Sequence, residues 1–439
     1  MKSRNNSLDI WMNGEKCGTW TLSKNGVHEF AYTSSWMDSP NVRPISLSMP
    51  TGSKVTTHTG PRVDAFFDNL LPDSPEIRRR IQARVGAAST NAIDLLREIG
   101  GDCAGAFQFM PEGKPPLMSP GEIGQRLNES AMAAKLRSRI APVAMGIGDE
   151  DDFRISLAGS QKKTALLRHK GHWYQPKGAA PSTHIFKFPM GKVGGFQGDL
   201  SKSVENEWLC AEIARKFGLA AANCEMATFE DMRVLIVERF DRKRSRDGKT
   251  WLRLPQEDLC QAMAVPKGIK YESEGAPGMS QILDLLLGAK AAEADRIRFF
   301  KSQVLFWLLC APDGHARNFS IFIEAGGEFS LTPLYDVISA YPIIGHGKNL
   351  LAVEKVKIAM SVPGKHKHRM WDGIARAHWK EAARNSGLGH AVEGIMSWFS
   401  MHADGVATEV SASLTRDFPD SVSNPILEGL RRTAKLLAP

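Results

Sequence analysis

Residues 313–318 read DGHARN, and the patterns on either side of them indicate what kind of protein this is. An apolar helical pattern, Ala294–Ala311, leads directly into them, and a hairpin pattern follows and ends at Asp336. Phosphoryl transfer needs an oriented hydroxyl and a cation that absorbs charge on the phosphate oxygens. Asp313 could accept the hydroxyl proton, and the side-chain oxygen of Asn318 could bind Mg²⁺. The order of helix, D-x-x-x-x-N loop, hairpin and aspartate is that of a kinase catalytic loop.

The same residues also allow a purely structural interpretation. Asp313-Gly314 could be an ordinary turn, and Asn318 could end a strand. The D-x-x-x-x-N spacing alone is common. The ordered context favours the catalytic loop, because the hairpin would return Asp336 to the side of Asn318, where both could reach one metal ion.

Turn signals and periodicity elsewhere predict two lobes. Residues 8–32 alternate apolar and polar side chains around two Asn-Gly turns, which predicts a β-meander. A β-rich block follows, and from Leu252 onward the pattern is mainly helical, interrupted by one hairpin. We therefore predict an α+β, two-lobed, protein-kinase-like fold. Its predicted parts are an N-terminal subdomain (1–110), the β-rich part of the N-terminal lobe (111–250) and a helical C-terminal lobe (251–439).

The β-rich block contains a lysine and a glutamate that could act together. Lys187 ends the strand pattern His184–Phe188, and Glu207 lies on the following amphipathic helix pattern, Ser203–Phe217. In kinases a strand lysine contacts the α/β-phosphates and pairs with a helix glutamate. The alternative is an ordinary strand-end lysine and a solvated glutamate.

Two further segments could contact a nucleotide. Residues 158–163, AGSQKK, could form a turn whose backbone N–H groups and Lys163 face phosphate oxygens, although a single glycine makes this a weak motif. Val237–Asp241 ends a buried strand where the lobes should join, so its backbone could hold an adenine with Phe240 against the ring. The alternative is an interlobe linker with a core phenylalanine.

Composition indicates a globular protein but does not identify its binding partner. The chain has 439 residues, 42% of them hydrophobic, and a net charge of +8, which suits acidic partners in general. The six cysteines form no C-x-x-C pair, which predicts reduced, mostly buried thiols. The longest apolar run, Val304–Ala311, is shorter than the roughly 18 residues of a membrane span. We expect a cytoplasmic protein with no membrane partner.

The basic stretch Lys355–Arg369 could contact phosphate backbone or be a solvated surface.

Several long strings of the sequence resemble the HipA serine/threonine kinase toxins, over nearly the whole chain. The resembling strings are Phe66–Pro75 (FFDNLLPDSP), Phe153–Leu166 (FRISLAGSQKKTAL), Thr183–Pro189 (THIFKFP), Val237–Arg242 (VERFDR), Leu254–Asp258 (LPQED), Asp313–Ser320 (DGHARNFS) and Leu331–Ala340 (LTPLYDVISA). The chain departs from the family pattern at Pro312, where threonine is typical, and at Ser160 and Lys162 in the phosphate turn.

The resemblance implies binding of ATP and Mg²⁺, with Asp313 as catalytic base and with Asn318 and Asp336 on the metal. The predicted ATP-binding residues are Ala158, Gly159, Ser160, Gln161, Lys162, Lys163, Lys187, Glu238, Arg239, Phe240, His315, Asn318, Tyr335 and Asp336. Ser156 matches a serine whose autophosphorylation silences the kinase in this family.

The resemblance also implies partners. Family members are neutralised by a HipB-type helix-turn-helix antitoxin, and the pair represses its own operon by binding operator DNA. The known substrate of a family member is glutamyl-tRNA synthetase, whose phosphorylation inhibits translation and induces dormancy. Two other functions stay open: a catalytically weak co-repressor that mainly binds antitoxin and DNA, and a kinase of lipids or small molecules.

Overall fold

A computed structural model describes residues 6–52, 56–116, 123–140, 161–178, 180–248 and 250–439. It has the predicted α+β, two-lobed architecture, with sheets in the first half and mainly helices in the second. The boundaries at residues 110 and 250 stay a prediction. Within the described ranges, no helix has both the length and the apolar composition that a bilayer crossing requires. All six cysteines are free thiols, and only Cys224 is not fully buried, as predicted.

The N-terminal subdomain is a five-stranded antiparallel sheet covered by helices, with strand order β4-β3-β2-β1-β5. Its elements are β1 Ser7–Met12, β2 Glu15–Leu22, β3 His28–Tyr32, α1 Ser34–Met37, β4 Thr57–Thr59, α2 Pro61–Asp68, α3 Pro75–Val85, α4 Ala92–Ile99 and β5 Phe107–Pro111. The predicted β1–β2 turn is confirmed, since Asn13 and Gly14 have φ angles of 49° and 91°. Trp20 on β2 stacks on Phe67 of α2, with ring centroids 4.1 Å apart, which joins sheet and helix in one core.

A six-stranded sheet follows, with the order β12-β13-β9-β7-β8-β6. The elements of this region are β6 Gln125–Leu127, α5 Glu129–Ile140, β7 Lys163–His169, β8 His172–Gln175, β9 His184–Lys187, β10 Gly191–Val193, β11 Gly198–Leu200, α6 Ser203–Lys216, β12 Cys224–Phe229 and β13 Met232–Glu238. Strands β7 and β9 are antiparallel and set Lys163 directly opposite Lys187. This register brings two lysines to the same end of the sheet.

The C-terminal part is built around the largest core cluster. Its elements are β14 Arg242–Arg244, β15 Trp251–Arg253, β16 Gln256–Asp258, α7 Leu259–Ala262, α8 Met279–Leu285, α9 Ala292–Leu308, β17 Ser320–Ile323, β18 Phe329–Leu331, β19 Lys357–Val362, β20 His368–Met370, α10 Arg376–Asn385, α11 Gly389–Ser413 and α12 Asp420–Ala434. The buried face of α6 also packs into this cluster through Leu209 and Ile213, so α6 connects the sheet to the helices.

The prediction of a single hairpin in the C-terminal part is wrong. The hairpin β17–β18 is present, but β19 and β20 form a second one, paired at Lys357–Met370 and Val362–His368. Tertiary contacts hold β19, because the Ala359 N–H donates to the Pro312 carbonyl at 2.9 Å. Local sequence pattern cannot show such a contact. The second hairpin therefore lies directly beside the residue that precedes Asp313.

Helix α12 packs on a fixed tyrosine, which leaves too little space for a side chain at one glycine of the helix. A Cβ at Gly429 would lie 2.4 Å from the Tyr341 ring, and the Tyr341 hydroxyl is held by the Leu308 carbonyl at 3.0 Å. We expect Gly429→Ala to lower the free energy of unfolding by about 1–3 kcal/mol, measured by urea denaturation. Gly405→Ala on α11, where a Cβ meets nothing within 4 Å, is the control and should be neutral or stabilising. Equal stability of the two variants would contradict this packing.

Candidate active site

Most residues predicted to carry the chemistry line one cleft between the six-stranded sheet and the helical part of the chain. The predicted residues that line it are Gln161, Lys163, Lys187, Glu238, Arg239, Phe240, Asp313, His315, Asn318, Tyr335 and Asp336. They come from the start of β7, the strand β9, the end of β13 with the segment after it, the loop after α9 and the segment after β18. The fold therefore brings distant segments of the sequence to a common space.

A buried ion-pair triad lies at the inner end of the cleft. The Lys187 Nζ donates to Glu207 Oε1 at 2.5 Å and to Asp336 Oδ1 at 2.8 Å. The side chains of Lys187 and Glu207 are only 7% and 6% exposed. The predicted Lys187–Glu207 pair is thus present, and Asp336 joins it from the other lobe.

The charges of the triad are fixed by its neighbours. Burial alone would raise the pKa of Asp336, but Lys187 and Lys163 outweigh burial, so this pKa lies well below its usual range. Burial would lower the pKa of Lys187, but Asp336 and Glu207 raise it above its ordinary value. Burial lowers the pKa of Lys163, which Asp336 counteracts. Asp336 is therefore an anion that faces two lysines, a setting that favours binding of phosphate groups and a divalent cation together.

The loop after α9 is held in shape by its own backbone. The Asn318 Nδ2 donates to the Asp313 carbonyl at 2.7 Å, and the Asn318 N–H donates to the His315 carbonyl at 2.9 Å. The Asp313 side chain is 55% exposed, whereas His315 is buried, with its Nε2 3.8 Å from Asp313 Oδ1. Within the described ranges, His315 Nδ1 is buried without a hydrogen-bond partner. The loop thus presents an accessible carboxylate beside a buried imidazole ring.

The oxygen donors in the cleft fit Mg²⁺ in their chemistry. The Asn318 amide nitrogen is used by the Asp313 carbonyl, so the amide oxygen remains for a cation, and Asp336 adds a carboxylate. No group of three or more His, Cys, Asp or Glu side chains in the described part of the chain is arranged to hold a metal. Mg²⁺ commonly takes one or two protein ligands and completes its shell with phosphate oxygens and water. Two oxygen donors therefore suit a cation that arrives with a nucleotide.

The backbone of Asp336 is unusual. Its φ angle is 61°, in the left-handed region that glycine adopts far more readily than other residues. The side chain is nevertheless directed to Lys187 at 2.8 Å. The ion pair therefore holds a conformation that the backbone alone disfavours.

Comparison with known proteins identifies the family. A family model described as the HipA-like C-terminal domain matches residues 155–410, and one described as the HipA N-terminal domain matches residues 8–110. The chain belongs to the HipA family. A protein of Sinorhizobium fredii described as putative kinase Y4mE is 31% identical over 390 residues, which cover 87% of this chain and 86% of that protein.

A sequence and a solved structure, both named HipA and both from Shewanella oneidensis, extend the comparison. Its serine/threonine-protein kinase toxin HipA is 28% identical over 347 residues, which cover 75% of the chain and 73% of the toxin. A solved structure of HipA with HipB and its operator DNA aligns with a TM-score of 0.77 and 21% identity, over 98% of this chain and 96% of that chain. The structural match shows that the described part of this HipA-family chain has the HipA fold.

The segment after β13 lines the cleft of this HipA-family chain, and its arginine is also bound in a buried network. The Arg239 guanidinium is buried and donates to Asp241 at 2.8 and 2.9 Å and to the Cys103 carbonyl at 2.7 Å. Its N–H donates to the Thr183 carbonyl at 2.9 Å. The Arg239 side chain is therefore engaged in a buried network, and the nucleotide contact of Arg239 stays a prediction. Phe240 lies at the cleft with its ring edge-on to Phe322.

The remaining predicted ATP-binding residues of the HipA-family chain lie in the phosphate turn and at Tyr335. Ser156, Ala158, Gly159 and Ser160 lie outside the described residues. Lys162 Nζ donates to the Ile140 carbonyl at 3.3 Å and is not among the residues that line the cleft. The Tyr335 hydroxyl is engaged with the Arg317 carbonyl at 2.9 Å and with Ser320 Oγ at 2.6 Å, so only its ring is available to a ligand.

Sequence reasoning missed that the HipA N-terminal domain reaches into the cleft. Asn69 and Asp73, which follow α2, line it and accept hydrogen bonds from the buried guanidinium of Arg317, inside the 313–318 loop. The Asn69 Nδ2 also donates to the Val265 carbonyl at 2.9 Å. The string FFDNLLPDSP marked this segment for the family, but nothing local indicated which loop it contacts. The N-terminal domain therefore supports the candidate catalytic loop directly.

Proposed function

We propose that the chain is a serine/threonine protein kinase that transfers the γ-phosphate of ATP to a protein hydroxyl, as the toxin of a toxin–antitoxin pair. The observation that carries the proposal is the convergence of Lys187, Asp336, Asp313 and Asn318 in one cleft, with Glu207 paired to Lys187. Three segments far apart in sequence meet there with the residue types that phosphoryl transfer requires. Membership of the HipA family and a relative that is a serine/threonine-protein kinase toxin support the same reaction.

In the proposed reaction each residue has a defined task. Asp313 accepts the proton of the acceptor hydroxyl as its oxygen bonds to the γ-phosphorus and the bond to ADP breaks. Lys187 and Lys163 face the phosphates, and His315 adds a ring nitrogen beside Asp313. Asn318 and Asp336 would hold Mg²⁺, which supplies positive charge to the phosphate oxygens when bound. Phe240 would pack against the adenine.

The proposal includes partners and regulation. By similarity to the HipA toxins, we propose a HipB-type antitoxin, operator DNA bound through the complex, and a translation protein such as glutamyl-tRNA synthetase as substrate. Phosphorylation of that substrate would inhibit translation and promote dormancy in the cytoplasm. Autophosphorylation at Ser156 would then inactivate the chain.

Incubation of the full chain with γ-labelled ATP and Mg²⁺, followed by mapping of the label, tests the proposal. We expect incorporation of label at Ser156 and at added glutamyl-tRNA synthetase, and loss of both with EDTA. Replacing Ser156 by alanine should remove the first label and leave the second. A chain that incorporates and transfers no label, yet binds operator DNA with its antitoxin, would instead be a catalytically weak co-repressor.

A further inference from the structure

The exposed carboxylate of Asp313 already holds a hydroxyl group from its own chain. The Tyr271 hydroxyl donates to Asp313 Oδ1 at 2.6 Å. Tyr271 lies between α7 and α8, far from the 313–318 loop in sequence, and was not singled out by any motif. The contact therefore arises only from the fold.

Tyr271 is held firmly in this place. Its ring stands edge-on to His315, with centroids 5.3 Å apart. The next residue, Glu272, has a buried carboxylate that accepts from the Ser361 N–H at 2.6 Å and from Lys367 Nζ at 2.8 Å. Both partners belong to the β19–β20 hairpin, which also binds the Pro312 carbonyl through Ala359. One hairpin thus fixes both the tyrosine segment and the residue before Asp313.

The Tyr271 phenol presents a hydroxyl group to Asp313, as a serine or threonine substrate would. Burial and the neighbouring Asp313 carboxylate raise the pKa of Tyr271 above its usual value, so the hydroxyl stays protonated and acts as the donor. A serine or threonine of a protein substrate must likewise donate its hydroxyl hydrogen to the base before attack. The phenol occupies one acceptor position on Asp313 Oδ1, and an acceptor hydroxyl that approaches Oδ1 from the same side needs that position. Tyr271 and an acceptor hydroxyl therefore compete for Asp313.

We propose that Tyr271 occupies the acceptor-hydroxyl subsite of the free chain, and that a protein substrate binds by displacing its phenol from Asp313. The inference rests on the proposed function and adds a residue that controls which hydroxyls reach the base. The same contact puts the phenol in a position at Asp313 Oδ1 that a water molecule could otherwise take. A tightly bound protein acceptor can displace the phenol, whereas a single water molecule gains too little from the exchange.

Hydrolysis of ATP tests the inference without any protein acceptor. In that reaction water bonds to the γ-phosphorus, the bond to ADP breaks, and the water proton passes to Asp313. We expect Tyr271→Phe, which keeps the ring on His315, to raise the hydrolysis rate of the full chain by roughly threefold to tenfold at unchanged KM for ATP. Tyr174→Phe, on β8 and outside the cleft lining, is the matched control and should leave the rate unchanged.

The outcomes separate the two proposals. An unchanged or lower rate in Tyr271→Phe, with active wild-type chain, would overturn the role of Tyr271 and leave the kinase proposal standing. A wild-type chain that neither hydrolyses ATP nor transfers phosphate would overturn both.

Nitration with tetranitromethane gives a readout that does not depend on activity. Because the reagent attacks the phenolate, the hydrogen bond to Asp313 should protect Tyr271. We expect Asp313→Ala to increase nitration of Tyr271, mapped by mass spectrometry, while nitration of Tyr174 stays constant. Equal nitration of Tyr271 in the two proteins would show that the phenol does not engage Asp313, and would overturn the inference.

Discussion

Replacing Asp313 by alanine is expected to lower the rate of phosphoryl transfer by about 10²- to 10⁴-fold, because the acceptor hydroxyl loses its positioned base. The carboxylate is 55% exposed and contacts Tyr271 and, at 3.8 Å, His315. The fold should therefore tolerate the change. Nucleotide affinity should also be retained, since Lys187, Asn318 and Asp336 remain. The measurement is the initial rate of label transfer from γ-labelled ATP to a protein acceptor, with ATP affinity from calorimetry.

A control for this variant comes from another exposed aspartate. Asp372 lies in a short helical turn after β20, outside the cleft lining. Asp372→Ala should keep wild-type transfer and wild-type stability. A transfer rate in Asp313→Ala within about threefold of wild type would exclude Asp313 as the general base, whatever the behaviour of the control.

Replacing Asp102 by alanine is expected to destabilise the chain by about 3–5 kcal/mol, since it leaves buried arginines without their counter-charge. Asp102 is buried and accepts from Arg242 at 2.8 Å and from Ser182 Oγ at 2.5 Å, with Arg239 at 3.4 Å and Arg253 at 3.5 Å. Asp241 would be the carboxylate that remains in the cluster. Urea denaturation should show the loss as a lower midpoint.

The comparison variants for Asp102 separate charge from shape. Asp102→Asn keeps an acceptor for Ser182 but loses the charge, so we expect most of the same destabilisation. Asp284→Ala, at an exposed position on α8, should change stability by no more than about 0.5 kcal/mol. An Asp102→Ala chain as stable as Asp284→Ala would show that the arginine cluster does not depend on this carboxylate.

The parts that could be predicted from sequence are those with local signals. The β1–β2 turn, helix α9, the β17–β18 hairpin and the Lys187–Glu207 pair all follow from turn residues, apolar periodicity or a known spacing. The residues that contact each other in these features belong to elements that lie close together in the sequence. Local pattern therefore carried enough information to place the lobes and the cleft between them.

The parts that could not be predicted depend on contacts between distant segments. The Tyr271–Asp313 contact, the support of Arg317 by Asn69 and Asp73, and the Asp102 cluster each join separate regions of the chain. Side chains of these types occur throughout the sequence with no periodicity that marks them. Only the folded chain shows which of them meet. The same reason explains why β19–β20 was missed.

The left-handed backbone of Asp336 sets backbone conformation against charge pairing at this position. Glycine would relieve about 1 kcal/mol of backbone strain, but the buried Lys187 would lose one of its two counter-charges. Glycine has no carboxylate for Lys187 or for a cation. Aspartate, one of the few residue types other than glycine that adopts this region comparatively readily, places an ionised group beside Lys187 at a small cost in backbone energy.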